Sequence, residues 1–168
     1  MGTIHVTRAE EGEHWLVVTD VTTIKASGRD TSGNLLVLEV TVPPGGGPPV
    51  LHRHEYSEIF LFQEGEFEFS TVDEDYTPTT FRVGAGDTVS VPSMVWHNFE
   101  NVGATPGRFT AVHSPAVMED FMREIGRRID EPHNPPDPDG PPSEEDMRKM
   151  MEIIGEYMEM LPPDKVGR

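Results

Sequence analysis

Residues Gly46–Gly65, reading GGPPVLHRHEYSEIFLFQEG, place His52 and His54 two apart and Glu58 four further on. Along a strand, residues two apart project to the same face, so these two imidazoles can converge on one point. Outward along the chain, Gly86–Asn101 reads GDTVSVPSMVWHNFEN and supplies His97 in a comparably apolar, strand-like setting. The resulting His/His/Glu/His set suits one divalent transition metal, Fe(II), Mn(II), Co(II), Ni(II) or Zn(II), without choosing among them. The chain has no cysteine, which excludes thiolate metal sites, disulfides and a thiol nucleophile. Three imidazoles and a carboxylate leave one or two coordination positions open for substrate or dioxygen, unlike a closed structural zinc site. A substrate hydroxyl bound there would be acidified by the metal. Glu58 can serve as a ligand or as a general base.

The flanking segments read as strands. HWLVV at 14–18, VTTIKAS at 21–27 and LLVLEVTV at 35–42 are rich in β-branched and apolar residues and are bounded by turn residues. The Pro/Gly run 43–49 stops the third and delivers the chain to the ligand segment. SEIFLFQ at 57–63, the Glu64-Gly65 turn and EFEFSTV at 66–72 predict a hairpin. Further strands are expected at 79–83, 88–91, 95–99 and 108–113, a spacing typical of an all-β sandwich or barrel. Within 57–63, Glu58, Phe60 and Phe62 share a face, so an inward Glu58 makes the two phenylalanines line the same interior. Tyr56, Phe60, Phe62, Phe67, Phe69, Met94, Trp96 and Phe99 are the candidate substrate-pocket residues, with core packing the competing reading for each phenylalanine. His5, His14 and His133 lie in polar contexts and read as surface residues; His113, late in a strand, is a secondary candidate, as a ligand or in support of one.

From Ala116 the period changes. Met118, Phe121, Met122, Ile125 and Ile129 fall at helical spacing. A Pro-rich linker at 131–142 follows, then a capping pair, Ser143 and Asp146, and a second stripe of Met147, Met150, Met151, Ile154, Met158 and Leu161. The division is residues 1–115 for the barrel and 116–168 for a helical tail, whose stripes must dock on the barrel or on a partner subunit. With 168 residues, a single domain is expected. Thirty acidic against 13 basic residues give a net charge of −17, which repels a phosphate backbone and argues against nucleic acid. No apolar run reaches membrane-spanning length and MGTIHVTRAEEGEH lacks the apolar core of a signal peptide, so a cytoplasmic protein with no membrane partner is expected.

The two histidine segments resemble the signatures of the cupins. Gly46, His52, His54, Glu58 and Gly65 fit G-x5-H-x-H-x3-E-x6-G, and Gly86, Pro92, His97 and Asn101 fit G-x5-P-x-G-x2-H-x3-N, with Met94 where that pattern has glycine. The resemblance implies an all-β, jelly-roll-like cupin β-barrel (a double-stranded β-helix) carrying a two-helix C-terminal appendage. It implies that His52, His54, Glu58 and His97 hold the metal, and that the protein pairs as a homodimer. A single barrel with such a tail looks most like the quercetinase-like group, which implies a dioxygenase acting on a small aromatic or enolic compound, with Glu58 assisting deprotonation. The alternatives are an isomerase, decarboxylase or lyase using the metal as a Lewis acid, and a non-enzymatic metal or small-molecule binding module.

Overall fold

A computed structural model describes residues 3–136 and 144–166. The element order is β1 (Glu13–Val17), β2 (Asp20–Ala26), β3 (Leu36–Val42), β4 (His52–Arg53), β5 (Ser57–Glu64), β6 (Glu66–Val72), β7 (Pro78–Gly84), β8 (Thr88–Val91), β9 (His97–Asn101) and β10 (Gly107–Ser114). The helix α1 (Met118–Ile125), β11 (Arg127–Ile129), helix α2 (Glu144–Tyr157), β12 (Glu159–Met160) and a 3₁₀ turn at Pro163–Lys165 complete it. Two antiparallel sheets form, in the orders β11-β1-β2-β3-β10-β5-β8 and β12-β4-β9-β6-β7. They face one another as a jelly-roll sandwich whose sheets do not join between the edge strands β7 and β8.

Alternation decides the inner faces. In β3 the pattern buries Leu36, Leu38, Val40 and Val42; in β5 it buries Glu58, Phe60 and Phe62; in β10 it buries Gly107, Phe109, Ala111 and His113. Phe60, Phe62 and Phe109 of one sheet meet Phe67, Phe69 and Phe99 of the other, with ring centroids 5.0 Å apart for Phe60–Phe69 and for Phe62–Phe67. Most of these contacts are edge-on or tilted, the arrangement the ring quadrupole favours.

The expected hairpin at 57–72 does not form. β5 pairs with β10 and β8, while β6 pairs with β7 and β9, so Gly65 carries the chain from one sheet to the other. Its φ of +91° is accessible to glycine at no steric cost, and a Cβ there would stand 2.6 Å from the Cα of Gly107. Two strands with aromatic inner faces satisfy those faces better across the sandwich than side by side.

The tail is built into the same body. α1 ends at Gly126, and Ile129 lies on β11, opposite His14 of β1, rather than continuing the helical stripe. In α2, Ile153, Ile154 and Tyr157, with Met158 just beyond, pack against the core, whereas Met147 and Met151 are exposed. β12 pairs with β4, and Arg53 meets Glu159 at 2.6 Å, so the tail covers the ligand strand of its own chain. Leu161 is buried with Leu51 and Val72 in a second small cluster that includes Trp96 and Tyr76. Residues 137–142 of the Pro-rich linker and Ser143 of the capping pair fall outside the described residues, as does the side chain of Asp146. No described helix is long and apolar enough to cross a membrane.

Candidate metal centre

His52 sits on β4 directly opposite His97 on β9, and His54 follows where the chain bends. The three side chains are buried, and one ring nitrogen from each lies within 4.8 Å of the others, a group that could hold a metal ion. Each ring is oriented by its Nδ1: His54 meets the carbonyl of Tyr56 at 2.9 Å, His97 that of Val95 at 2.8 Å and His52 that of Val50 at 3.3 Å. A carbonyl only accepts, so all three Nδ1 atoms carry the proton and all three Nε2 atoms present lone pairs. Burial, reinforced by His97, lowers the His52 pKa to about 4, so its imidazole is neutral at physiological pH.

Glu58, from β5 of the other sheet, reaches into the same space. Its Oε2 lies 3.1 Å from Nε2 of His97 and 3.4 Å from Nε2 of His54, and the latter nitrogen is buried without a hydrogen-bond partner. With neutral imidazoles this sets a carboxylate against two lone pairs, an arrangement that calls for a cation between them. Burial by itself would raise the Glu58 pKa. The pull of His113, and of His54 and His97 whenever their Nε2 atoms carry a proton, outweighs it and holds the carboxyl well below the usual range. The donor set therefore fits a divalent cation.

His113 is the residue that sequence spacing undervalued. It stands opposite Glu58 in the β10–β5 register, is buried, and places Nε2 3.1 Å from Glu58 Oε1. Its Nδ1 is buried without a partner. One carboxylate oxygen thus faces His113 and the other faces the three-histidine group. Tyr56 stacks on His54 with centroids 3.5 Å apart and lies 5.1 Å from the His113 ring, filling the space behind both. The signal for His113 was its strand parity with Phe109 and Ala111, which marked it as inward. His14, expected at the surface, is buried in β1 with Nδ1 2.8 Å from the Thr23 hydroxyl, because β11 covers its strand. His5 and His133 are exposed and pair with Asp30 and Glu10.

The other motif residues shape the site's surroundings. Asn101, fully buried, donates from Nδ2 to the carbonyls of Val42 and Thr105 at 2.8 and 2.9 Å, and its backbone exchanges hydrogen bonds with Gly45 and Gly46. It fastens the Pro/Gly run to the end of β9. Met94, at the position where the motif has glycine, adopts φ +63° and donates its N–H to the carbonyl of His54 at 2.8 Å. The turn is thus left-handed despite the side chain. Among the candidate pocket residues, Phe60, Phe62, Phe67, Phe69 and Phe99 lie in the core, Tyr56 backs His54, Met94 is exposed, and Trp96 stacks under the guanidinium of Arg53 at 4.4 Å. Of the five phenylalanines, Phe69 also borders a cavity of about 130 Å³ that reaches His97.

Comparison with known proteins agrees with this geometry. Residues 38–113, from β3 to β10, match the family model described as a cupin domain. An RmlC-like cupin from Shewanella frigidimarina is 22% identical, with 71% of this chain and 96% of that chain covered and a TM-score of 0.58. An oxalate decarboxylase variant from Bacillus subtilis is 21% identical over 71% of this chain, with a TM-score of 0.52; this chain spans 29% of its length. A cupin domain from Schizosaccharomyces pombe is 19% identical, covering 65% of this chain and 70% of that one, with a TM-score of 0.50. No curated protein matches the sequence. The fold is that of a cupin, and the matched stretch contains His52, His54, Glu58, His97 and His113.

Proposed function

We propose that this protein is a metal-dependent dioxygenase acting on a small aromatic or enolic compound, with one divalent transition metal held by His52, His54, His97 and Glu58. The observation that carries the metal is the buried group of three histidines, one ring nitrogen of each within 4.8 Å of the others, with Glu58 Oε2 3.1 Å from His97 and 3.4 Å from His54. The quercetinase-like resemblance supports the choice of reaction. When bound, the metal supplies an acidified, electron-rich substrate oxygen and a route for its reaction with dioxygen. Dioxygen is the co-reactant, both its atoms enter the product, and no external reductant is consumed.

The chain's own groups handle the proton. Glu58, ionised and held at Oε1 by His113, uses Oε2 in one of two roles at a time, as a ligand or to accept the substrate hydroxyl proton and return it to the product. The rings of His52, His54 and His97 stay fixed because their Nδ1 protons are committed to backbone carbonyls. The buried surroundings exclude bulk water from this transfer. The Glu58–His113 pair equally suits oxygen-independent proton transfer, the basis of a second reading as a metal-dependent isomerase, decarboxylase or lyase.

Oxygen uptake separates the two. Metal-stripped protein is reconstituted in turn with Fe(II), Mn(II), Co(II), Ni(II) and Zn(II) and offered small hydroxylated aromatic and enolic substrates. Uptake with a redox-capable metal, absent with Zn(II) and in His52→Ala, is the expected result. Turnover without uptake would move the assignment to the second reading. A homodimer is also proposed: Ile59 and Leu61 of β5 lie exposed on the outer face of the larger sheet, and sedimentation equilibrium tests it.

A further inference from the structure

We infer that the open edge of the sandwich, between β7 and β8, is the entrance to the metal centre, and that it takes a neutral single-ring hydroxy compound and refuses larger ring systems. The inference rests on the metal-site reading above and adds the route and the substrate class. β7 is the last strand of one sheet and β8 the last of the other, and among the described residues no strand closes the gap. Inner-face residues of both strands therefore look into a space that elsewhere in the sandwich is filled. Phe81 pairs across the β7–β6 ladder with Phe69 and shares its face, yet it is 54% exposed. A large apolar side chain with its neighbours on one side and solvent on the other marks the mouth.

Behind it lies the cavity of about 130 Å³, walled by Phe69, Val89, Val91 and Val95, with Thr71 and His97 as its polar members on the inner face. It thus runs from the open edge to one of the three histidines. Its size matches a single ring, since an apolar cavity of about 150 Å³ accommodates benzene. A flavonol, with three rings, exceeds it. None of the nine lining residues is Lys, Arg, Asp or Glu, so the walls themselves favour an uncharged ring. A neutral ring with a hydroxyl directed at His97 matches both walls and end.

The opposite approach is plugged. Beyond His52 the second cluster packs Leu51, Val72 and Leu161 with Trp96, and β12 pairs along the outer edge of β4.

The test uses full-length protein loaded with Zn(II) and read by methyl resonances of the valines. Phenol and 2-naphthol are titrated separately. Phenol should give saturable shifts centred on Val89, Val91 and Val95, with 2-naphthol about tenfold weaker or worse. Val89→Trp should abolish the phenol shifts while Zn(II) still binds one per chain; Phe81→Ala should admit 2-naphthol. Phenol shifts centred elsewhere, unaltered phenol binding in Val89→Trp, or equal affinity for 2-naphthol in the parent protein would overturn the proposal. If Zn(II) fails to bind but phenol still shifts these valines, the metal reading fails and the entrance stands. If Zn(II) binds and phenol does not, the entrance fails and the metal reading stands.

Discussion

The interior of the sandwich has two ends built from the same strands. β5 runs Glu58, Phe60, Phe62 along its inner face, β9 runs His97, Phe99, Asn101, and β10 runs Phe109, Ala111, His113. The register sets Glu58 beside His113 at one end and Phe62 beside Phe109 at the other. One end is histidine and carboxylate; the other is interlocked phenylalanine. Continuous strands therefore place a polar site, costly to bury, on a frame whose stability comes from elsewhere along the same backbone.

If that division holds, the largest stability loss comes from the aromatic end. Phe67 is fully buried and meets Phe62, Phe99 and Phe109. Phe67→Ala should cost about 3–5 kcal/mol, read by urea denaturation. Metal affinity of the folded variant should stay at the parent value. A fall as deep as that of a histidine-end variant would show that the two ends are not separable.

At the histidine end the sharper probe is His113, which touches Glu58 without belonging to the three-histidine group. His113→Ala frees the carboxylate to swing and should weaken metal binding by about 10–100-fold, measured by chelator competition. His113→Gln keeps an N–H donor near Oε1 and should recover most of the loss, together with the parent Co(II) absorption spectrum. Equal losses in both variants would mean that His113 only fills space.

The two ends also differ in how they treat a carboxyl group. Glu58 is deeply buried but has partners, and its pKa falls. Asp20 begins β2 at the aromatic end, where Val21 pairs with Thr41, and burial raises its pKa from 3.8 to about 7 against only the Thr19 hydroxyl at 3.1 Å. The carboxyl is then neutral in the folded chain up to about pH 7, while in the unfolded chain it ionises near pH 4. Its contribution to stability declines as pH rises between these values and is least favourable above them. Asp20→Asn should raise the melting temperature at pH 8 and leave it nearly unchanged at pH 4. A gain of equal size at both pH values would trace the effect to packing instead.

Spacing made the candidate ligands legible because His52, His54, Glu58 and His97 lie in two short segments with local periodicity, and alternation told which side chains face inward. It did not tell which strands pair. Phe62 and Phe67 have the same pattern in a hairpin as across a sandwich, and only the close approach of Gly65 to Gly107 distinguishes them. His113 lies 16 residues beyond His97 with no motif to mark it, so its meeting with Glu58 exists only in the register of β10 against β5. Two-residue strands such as β12 carry no periodic signal at all. Ile129 kept the helical period while Gly126 ended the helix, because a period describes a face and not where hydrogen bonding stops.

Met94 offers the smallest effect and the finest test of what the histidine end gives up in stability. Its φ of +63° costs a non-glycine residue about 1–2 kcal/mol, whereas glycine would meet that conformation freely and give up about 0.5–1 kcal/mol in chain entropy. The side chain is 40% exposed, so little packing is lost on its removal. Met94→Gly should therefore stabilise the protein by about 0.5–1 kcal/mol, a rise of about 2 °C in melting temperature. The N–H that holds the His54 carbonyl remains, and metal affinity should not move. A lower melting temperature would show that the methionine side chain contributes more through its contacts than its backbone costs in strain. An altered metal affinity would show that this turn, like His113, takes part in positioning the ligands.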